Sequence, residues 1–137
     1  MREILFRGKR SDTGEWVEGY YEAGYTYENN IPFYRIIVFD NATRTSELVF
    51  VCPETVGQYT GLTDRNGKKI FEGDIIKMHN FKYEVAFNYG AFGTVYKMLN
   101  GVKSVCAFND SEYYEDATKY EVIGNIHDNP ELLEGKE

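Results

Sequence analysis

The apolar residues of this chain follow a short alternating pattern, which constrains the fold more than any other feature. No segment keeps the 3.6-residue apolar period of an amphipathic helix over several turns. Instead, short β-branched and aromatic runs alternate with turn signals such as Asn100-Gly101 and Asp64-Arg65-Asn66-Gly67. The 12 Tyr and 9 Phe agree with this pattern, because flat side chains cover a pleated sheet well. The sequence therefore predicts a mainly β protein with only short helical turns.

The predicted elements are brief and closely spaced, as in small barrels and sandwiches. Single helical turns are predicted at 53–56 and 130–133, the second with Asn129 as its N-cap. The polar segment 111–117 is expected to form a short helix or a long loop. Strands are predicted at residues 3–7, 15–22, 33–39, 45–52, 59–62, 68–71, 74–79, 82–88, 92–99, 102–108 and 121–126.

The chain shows no internal repeat, low-complexity segment or linker-like stretch. Its 137 residues are enough for one ordinary domain with its own core. We expect one compact unit with two parts. Residues 1–56 would form a strand-rich lobe, and residues 57–137 would hold a β-hairpin, a small barrel and the C-terminal helical turn.

The charge balance is acidic, with 15 Lys and Arg against 22 Asp and Glu and a net charge of −7. This excludes a strongly basic nucleic-acid packaging protein. Most of the acidity lies in residues 101–137, which predicts a solvated acidic face; an acidic patch that docks a basic partner is the alternative. The chain has no apolar run long enough to span a membrane and no signal-peptide pattern, so we expect a cytoplasmic protein.

The sequence carries no local catalytic or metal-binding motif, so we expect no enzyme activity, no catalytic residues, no metal and no cofactor. His79 and His127 are expected in exposed turns, and no motif joins them to Cys52 or Cys106. Both cysteines are expected to be buried, reduced thiols, and whether they pair stays open. Among the carboxylate pairs, Glu72 and Asp74 are better explained by turn chemistry at the start of a strand.

Nucleic-acid binding is the second functional hypothesis, because small barrels often stack bases on aromatic side chains beside basic groups. The candidate residues are Arg65, Lys68, Lys69 and Tyr83, and a second basic cluster lies at Arg7, Lys9 and Arg10. The net charge of −7 opposes this hypothesis, because phosphate neutralisation supplies most non-specific affinity. We therefore expect most tyrosines to serve in core or interface packing.

Three sequence blocks resemble the YopX family of phage and prophage proteins. The first is MREILFRGKR followed by GEWVEGY at residues 14–20, and the third is VIGNIHDNPELL at residues 122–133. The second and most specific is PETVGQYTGLTDRNGKKIFEGDIIK at residues 53–77. The blocks cover a little under half of the chain and occur in the family's order.

The resemblance implies a small, mostly β protein with no established enzymatic activity. It also implies an SH3-like barrel from about residue 72 to residue 126, and higher homo-oligomers. The expected role is that of an accessory protein that self-assembles, or binds a phage or host protein. The resemblance assigns structural roles, such as tight turns and capping of the hairpin loop by Asp64, to Gln58, Tyr59, Gly61, Asp64, Gly67, Glu72, Gly73, Asp74, Gly124, Asn125, Asn129 and Pro130.

Overall fold

The computed structural model describes residues 4–78, 80–88, 91–97, 103–108 and 119–133. Within these ranges the chain forms strands and two single 3-10 turns, at Pro53–Thr55 and Pro130–Leu132, so the mainly β prediction is confirmed. The strands in chain order are β1 (Phe6–Lys9), β2 (Trp16–Tyr25), β3 (Pro32–Asp40), β4 (Thr45–Phe50), β5 (Gly57–Thr63), β6 (Lys69–Phe71), β7 (Asp74–Met78), β8 (Phe81–Asn88), β9 (Ala91–Lys97), β10 (Lys103–Ala107) and β11 (Glu121–Asn125).

Most strands lie where the sequence predicts them, and the largest differences are near the N-terminus. β1 begins at Phe6 rather than at residue 3, and β2 continues to Tyr25 rather than ending at residue 22. β2 is longer because its last residues pair with the start of β3. The Asn100-Gly101 turn, the segment 111–117 and His79 lie outside the described residues. The strands that flank Asn100-Gly101 do pair, with Lys97 opposite Lys103.

The chain divides into two compact units, residues 1–59 and residues 60–137. The first unit has the strand order β4-β3-β2-β1-β5, with antiparallel pairing throughout. β4 also meets the residues that follow β1. The Ser11 backbone N–H donates to the Phe50 carbonyl at 2.9 Å, and Arg10 forms a bridge with Val51. The sheet therefore curls around its own core.

The core of the first unit lies on the inner face of this curled sheet. Ile36, Val49 and Val51 are buried at its centre. Gly19 brings β2 close to β3, since a Cβ atom here would overlap the backbone carbonyl oxygen of Ile37. The half-buried residues that pack around the centre are Val17, Tyr21, Tyr34, Val38 and Val56.

The second unit contains the end of β5 paired with β6, and a sheet of order β10-β9-β8-β7-β11. Its core is built on Ile70, Ile76, Val85 and Tyr120, all fully buried. Among the described strands, β10 and β11 are the two edges of this sheet, and no pairing between them closes it into a barrel. In the part of the chain that the structure describes, no helix has the length and apolarity needed to cross a bilayer.

Candidate interaction surface

The outward side of β2, β3 and β4 carries a continuous set of apolar side chains, here called the outer face. Antiparallel register places Tyr20 opposite Ile37 and Ile37 opposite Leu48, so these three residues form one row across the sheet. Four outer-face side chains are more than half exposed and two are half-buried. The outer face consists of Tyr20, Phe39, Leu48 and Phe50, which are exposed, with Phe33 and Ile37, which are half-buried.

The adjacent row of the same sheet side holds an ion pair between Arg35 and Glu22. Arg35 donates from Nε to Glu22 Oε1 at 2.6 Å, and its guanidinium lies 4.5 Å from the ring centroid of Phe33. Phe50 stands opposite Arg35 on β4. The two charges on this row neutralise each other, and the arginine also covers part of an aromatic ring.

The residues of β3 explain why the sequence alone did not predict the outer face. Its inward residues, including Ile36 and Val38, pack in the core, but its outward residues Phe33, Ile37 and Phe39 are also apolar. A strand with apolar residues on both sides is typical of a strand covered on both sides. The run at residues 33–39 carries this signal, although alternation alone does not say which side faces the core.

The basic cluster near β1 lies beside the single tryptophan. The Arg7 guanidinium and the Lys9 ammonium lie 4.7 Å and 5.5 Å from the ring centroid of Trp16. Arg10 pairs with Asp12 at 2.9 Å and approaches Glu47 at 3.8 Å. This pairing raises the pKa of Arg10 and holds the pKa of Asp12 below its usual range. The cluster is thus engaged with acidic and aromatic groups of its own chain.

The predicted nucleic-acid residues are divided between a loop and the core. Arg65 and Lys68 are exposed on the loop between β5 and β6, and Lys69 is half-buried at the start of β6. Tyr83 packs against the core of the second unit and lies 6.4 Å, centroid to centroid, from Phe81. The ring of Tyr83 is therefore only partly exposed for stacking.

Asp64 organises the β5–β6 loop from a buried position. Its Oδ1 accepts hydrogen bonds from the backbone N–H groups of Asn66 and Lys68, and its Oδ2 accepts one from Val122. Burial alone raises the pKa of the Asp64 carboxyl. The three N–H donors and the charge of Lys68 outweigh burial, so this pKa lies below its usual range.

The glycines of the central block allow backbone conformations that other residues rarely adopt. Gly61, Gly67 and Gly73 have φ of 89°, 83° and 94°. At the start of β7, Asp74 is buried and accepts a hydrogen bond from the Phe71 backbone N–H at 2.7 Å. Gln58 and Tyr59 lie on β5, where the Tyr59 N–H donates to the Leu5 carbonyl. Half-buried Glu72 lies in the turn before β7.

The closing block forms a compact turn after β11. The Asn125 Oδ1 accepts hydrogen bonds from the backbone N–H groups of His127 and Asp128. Asn129 precedes the 3-10 turn that begins at Pro130, but its side chain does not cap it. Asn129 is thus the N-cap residue, as predicted, while its Oδ1 accepts from the Asn125 N–H at 3.3 Å and not from an N–H of the turn. A Cβ atom on Gly124 would lie 2.6 Å from that same oxygen.

Two of the side chains considered for catalysis, His127 and Cys52, lie in the part of the chain that the structure describes. His127 and Cys52 are both half-buried, which corrects the expectation of an exposed histidine and a buried thiol. The Cys106 side chain lies outside the described residues. Burial raises the pKa of Glu84, while the charge of Lys103 opposes this rise. Within the described residues, His, Cys, Asp and Glu side chains form no group of three that could hold a metal ion.

Comparisons with known proteins give a similar solved structure and a matching family model. The crystal structure of protein EF1440 from Enterococcus faecalis is similar to it, with a TM-score of 0.54 and 28% sequence identity. The similarity covers 98% of this chain and 100% of that chain. A search of curated proteins found no match. The family model described as YopX protein matches residues 5–134, which is nearly the whole chain. The chain therefore belongs to the YopX family.

Proposed function

We propose that this chain is a non-enzymatic, phage-related accessory protein that self-assembles through its outer face, and that can use the same kind of contact on a phage or host protein. One observation carries the proposal. The outer face leaves Tyr20, Phe39, Leu48 and Phe50 more than half exposed in one contiguous patch. Large contiguous apolar patches on a protein surface mark interaction sites. Membership in the YopX family supports the phage-related part of the proposal.

The charges of the outer face favour an apolar contact over an electrostatic one. Glu22 and Arg35 are paired at 2.6 Å, so the patch offers no strong net charge to an ionic partner. Copies of a chain with a net charge of −7 repel one another, and this repulsion is weakest where contacting surfaces are neutral. An assembly held in this way should keep its size at high salt, because salt screens charges but does not weaken apolar burial.

A matched pair of substitutions tests this function. Leu48→Lys places a charge on the outer face, where the side chain is 52% exposed and the fold tolerates it. Phe81→Lys is the control, because Phe81 is 63% exposed but belongs to the second unit. We expect light scattering to show an assembled wild type, an assembled Phe81→Lys and a dissociated Leu48→Lys. An unchanged mass in Leu48→Lys would overturn the proposal.

A second candidate function is single-stranded nucleic-acid binding by an SH3-like barrel in the second unit. It is supported by the exposure of Arg65 and Lys68 on one loop. Binding of this kind is strongest at low salt. The test is fluorescence anisotropy of labelled single-stranded DNA and RNA at low salt, comparing the wild type with Arg65→Ala/Lys68→Ala. Equal binding by both proteins, or no binding by the wild type, would reject this candidate.

A further inference from the structure

The hairpin formed by β2 and β3 extends beyond the rest of its sheet. β1 pairs with β2 only at Trp16–Gly19, and β4 pairs with β3 only from Arg35 onward. Within residues 23–33 the strand pairing is therefore between β2 and β3 alone, with Ala23 opposite Tyr34 and Tyr25 opposite Pro32. We call this segment the arm; Phe33 at its base also belongs to the outer face. A two-stranded ribbon is marginally stable by itself in water. Contact with another surface would therefore stabilise the arm.

The arm carries exposed aromatic and aliphatic side chains beside polar Thr26, Asn29 and Asn30, and it is nearly uncharged. In residues 23–33 the single charged side chain is Glu28, although 27% of the whole chain is charged. Tyr27 at the tip is fully exposed, and Tyr25 and Ile31 are each more than half exposed. Such a tip resembles an interface core, which is depleted in charge and enriched in aromatic residues.

The arm does not cover the outer face of its own chain. It is the direct continuation of the two strands that carry Tyr20 and Ile37, so in the described pairing it extends from the end of the outer face and does not lie over it. The same chain therefore presents an arm with exposed apolar side chains and an apolar face that do not meet each other within one copy. Both surfaces lack net charge near their centres, which fits contact between two copies of an acidic chain.

The exposed area indicates how two such copies would associate. The exposed parts of Tyr25, Tyr27 and Ile31 amount to roughly 400 Å², and those of the four exposed outer-face residues to a similar area. One arm on one face would bury about 800 Å² in total, which is less than stable interfaces need. A reciprocal exchange of two arms that covered these side chains completely would bury about 1,600 Å², the standard size of a specific interface.

We infer that the arm is a dimerisation element: the arm of each copy packs on the outer face of a second copy, and the two contacts are related by a two-fold axis. This inference rests on the proposed function, since it uses the outer face as the receiving surface. The inference adds the arm, residues 23–33, as a second contact element, and it identifies the arm of a second copy as what packs on the outer face.

Two variants separate the arm from the face. Tyr27→Ser/Ile31→Ser removes the arm's apolar tip, and both side chains are exposed, so the monomer fold is preserved. Leu48→Lys disables the face and leaves the arm intact. Phe81→Ser removes an equally exposed aromatic group from the second unit and serves as the control. Sedimentation velocity is measured on each protein alone and on an equimolar mixture of the arm and face variants.

We expect the dimer dissociation constant to rise about tenfold or more in each of the arm and face variants, and to stay unchanged in Phe81→Ser. The mixture should associate more strongly than either variant alone, because one intact arm then meets one intact face. An arm variant that dimerises like the wild type would overturn this inference but leave the proposed function standing. A monomeric wild type would overturn both.

Discussion

Asp64 accepts a hydrogen bond from the backbone N–H of Val122 at 2.9 Å, although 58 residues separate them in the sequence. The same carboxylate holds the β5–β6 loop through Asn66 and Lys68. One buried side chain thus joins the central family block to the closing block. Asp64 and its loop therefore have a role in the folding of the second unit.

Replacing Asp64 should therefore be costly for stability. Asp64→Ala leaves three backbone N–H groups without their acceptor, and we expect a loss of about 3 kcal/mol. Chemical denaturation measures this loss. Asp12→Ala is the matched control, because it removes an exposed aspartate whose partner is Arg10, and its cost should be much smaller than that of Asp64→Ala. Equal losses in both variants would contradict this role for Asp64.

The stabilising effect of Asp64 should depend on pH. Its folded-state pKa is lowered, so its contribution is complete above the unfolded-state pKa of about 4. The contribution is lost as the pH falls from there through the folded-state pKa. The difference in unfolding free energy between the wild type and Asp64→Asn should therefore shrink as the pH is lowered from about 5 through the folded-state pKa of Asp64. A difference that stays constant over this range would show that the charge of Asp64 is irrelevant.

The contribution of Glu84 to stability should have the opposite pH dependence. Burial raises its folded-state pKa, so its charged form is disfavoured in the folded protein at pH 7. Glu84→Gln should be as stable as the wild type or more stable at pH 7. Any difference should shrink as the pH falls through the raised folded-state pKa and disappear only below the unfolded-state pKa, where the carboxyl is neutral in both states. Thermal melts at several pH values test this, and a less stable Glu84→Gln at pH 7 would refute it.

The approach of β2 to β3 should depend on Gly19. Gly19→Ala would place a methyl group on the Ile37 carbonyl oxygen, and backbone cannot move aside as a side chain can. We expect this variant to lose about 3 kcal/mol or more. Gly24→Ala on the same strand meets only the Phe33 ring, at 3.1 Å, and should cost about 1 kcal/mol or less. Similar unfolding curves for the two variants would contradict this explanation.

Local signals in the sequence predicted most of the strands. The loop from Asp64 to Gly67 lies between β5 and β6, and the strands beside Asn100-Gly101 pair as expected. The contact of Asp64 with Val122 was beyond prediction, because no local pattern specifies a partner 58 residues away. Asn129 is the N-cap residue of the last turn, as predicted, but no local pattern shows whether its side chain bonds forward to that turn or backward to Asn125, as it does in the structure.

The outer face was harder to predict than the core. Leu48 and Phe50 alternate with Val49 along β4, but both sets are apolar, so the pattern does not identify the buried one. The side of Ile36 and Val49 became the core because the sheet curls in that direction. The sequence predicts core or interface packing for most tyrosines, but the division of Tyr20, Tyr25 and Tyr27 between the outer face and the arm depends on strand register.

The solution mass of the purified protein tests the central claim most directly. Light scattering at low and high salt would compare it with the 15.9 kDa of a single chain. We predict a defined mass of two or more subunits that is the same at both salt concentrations, because the outer face is apolar and its ion pair is internally balanced. A mass of one subunit at both salt concentrations, or an assembly that dissociates at high salt, would contradict the account.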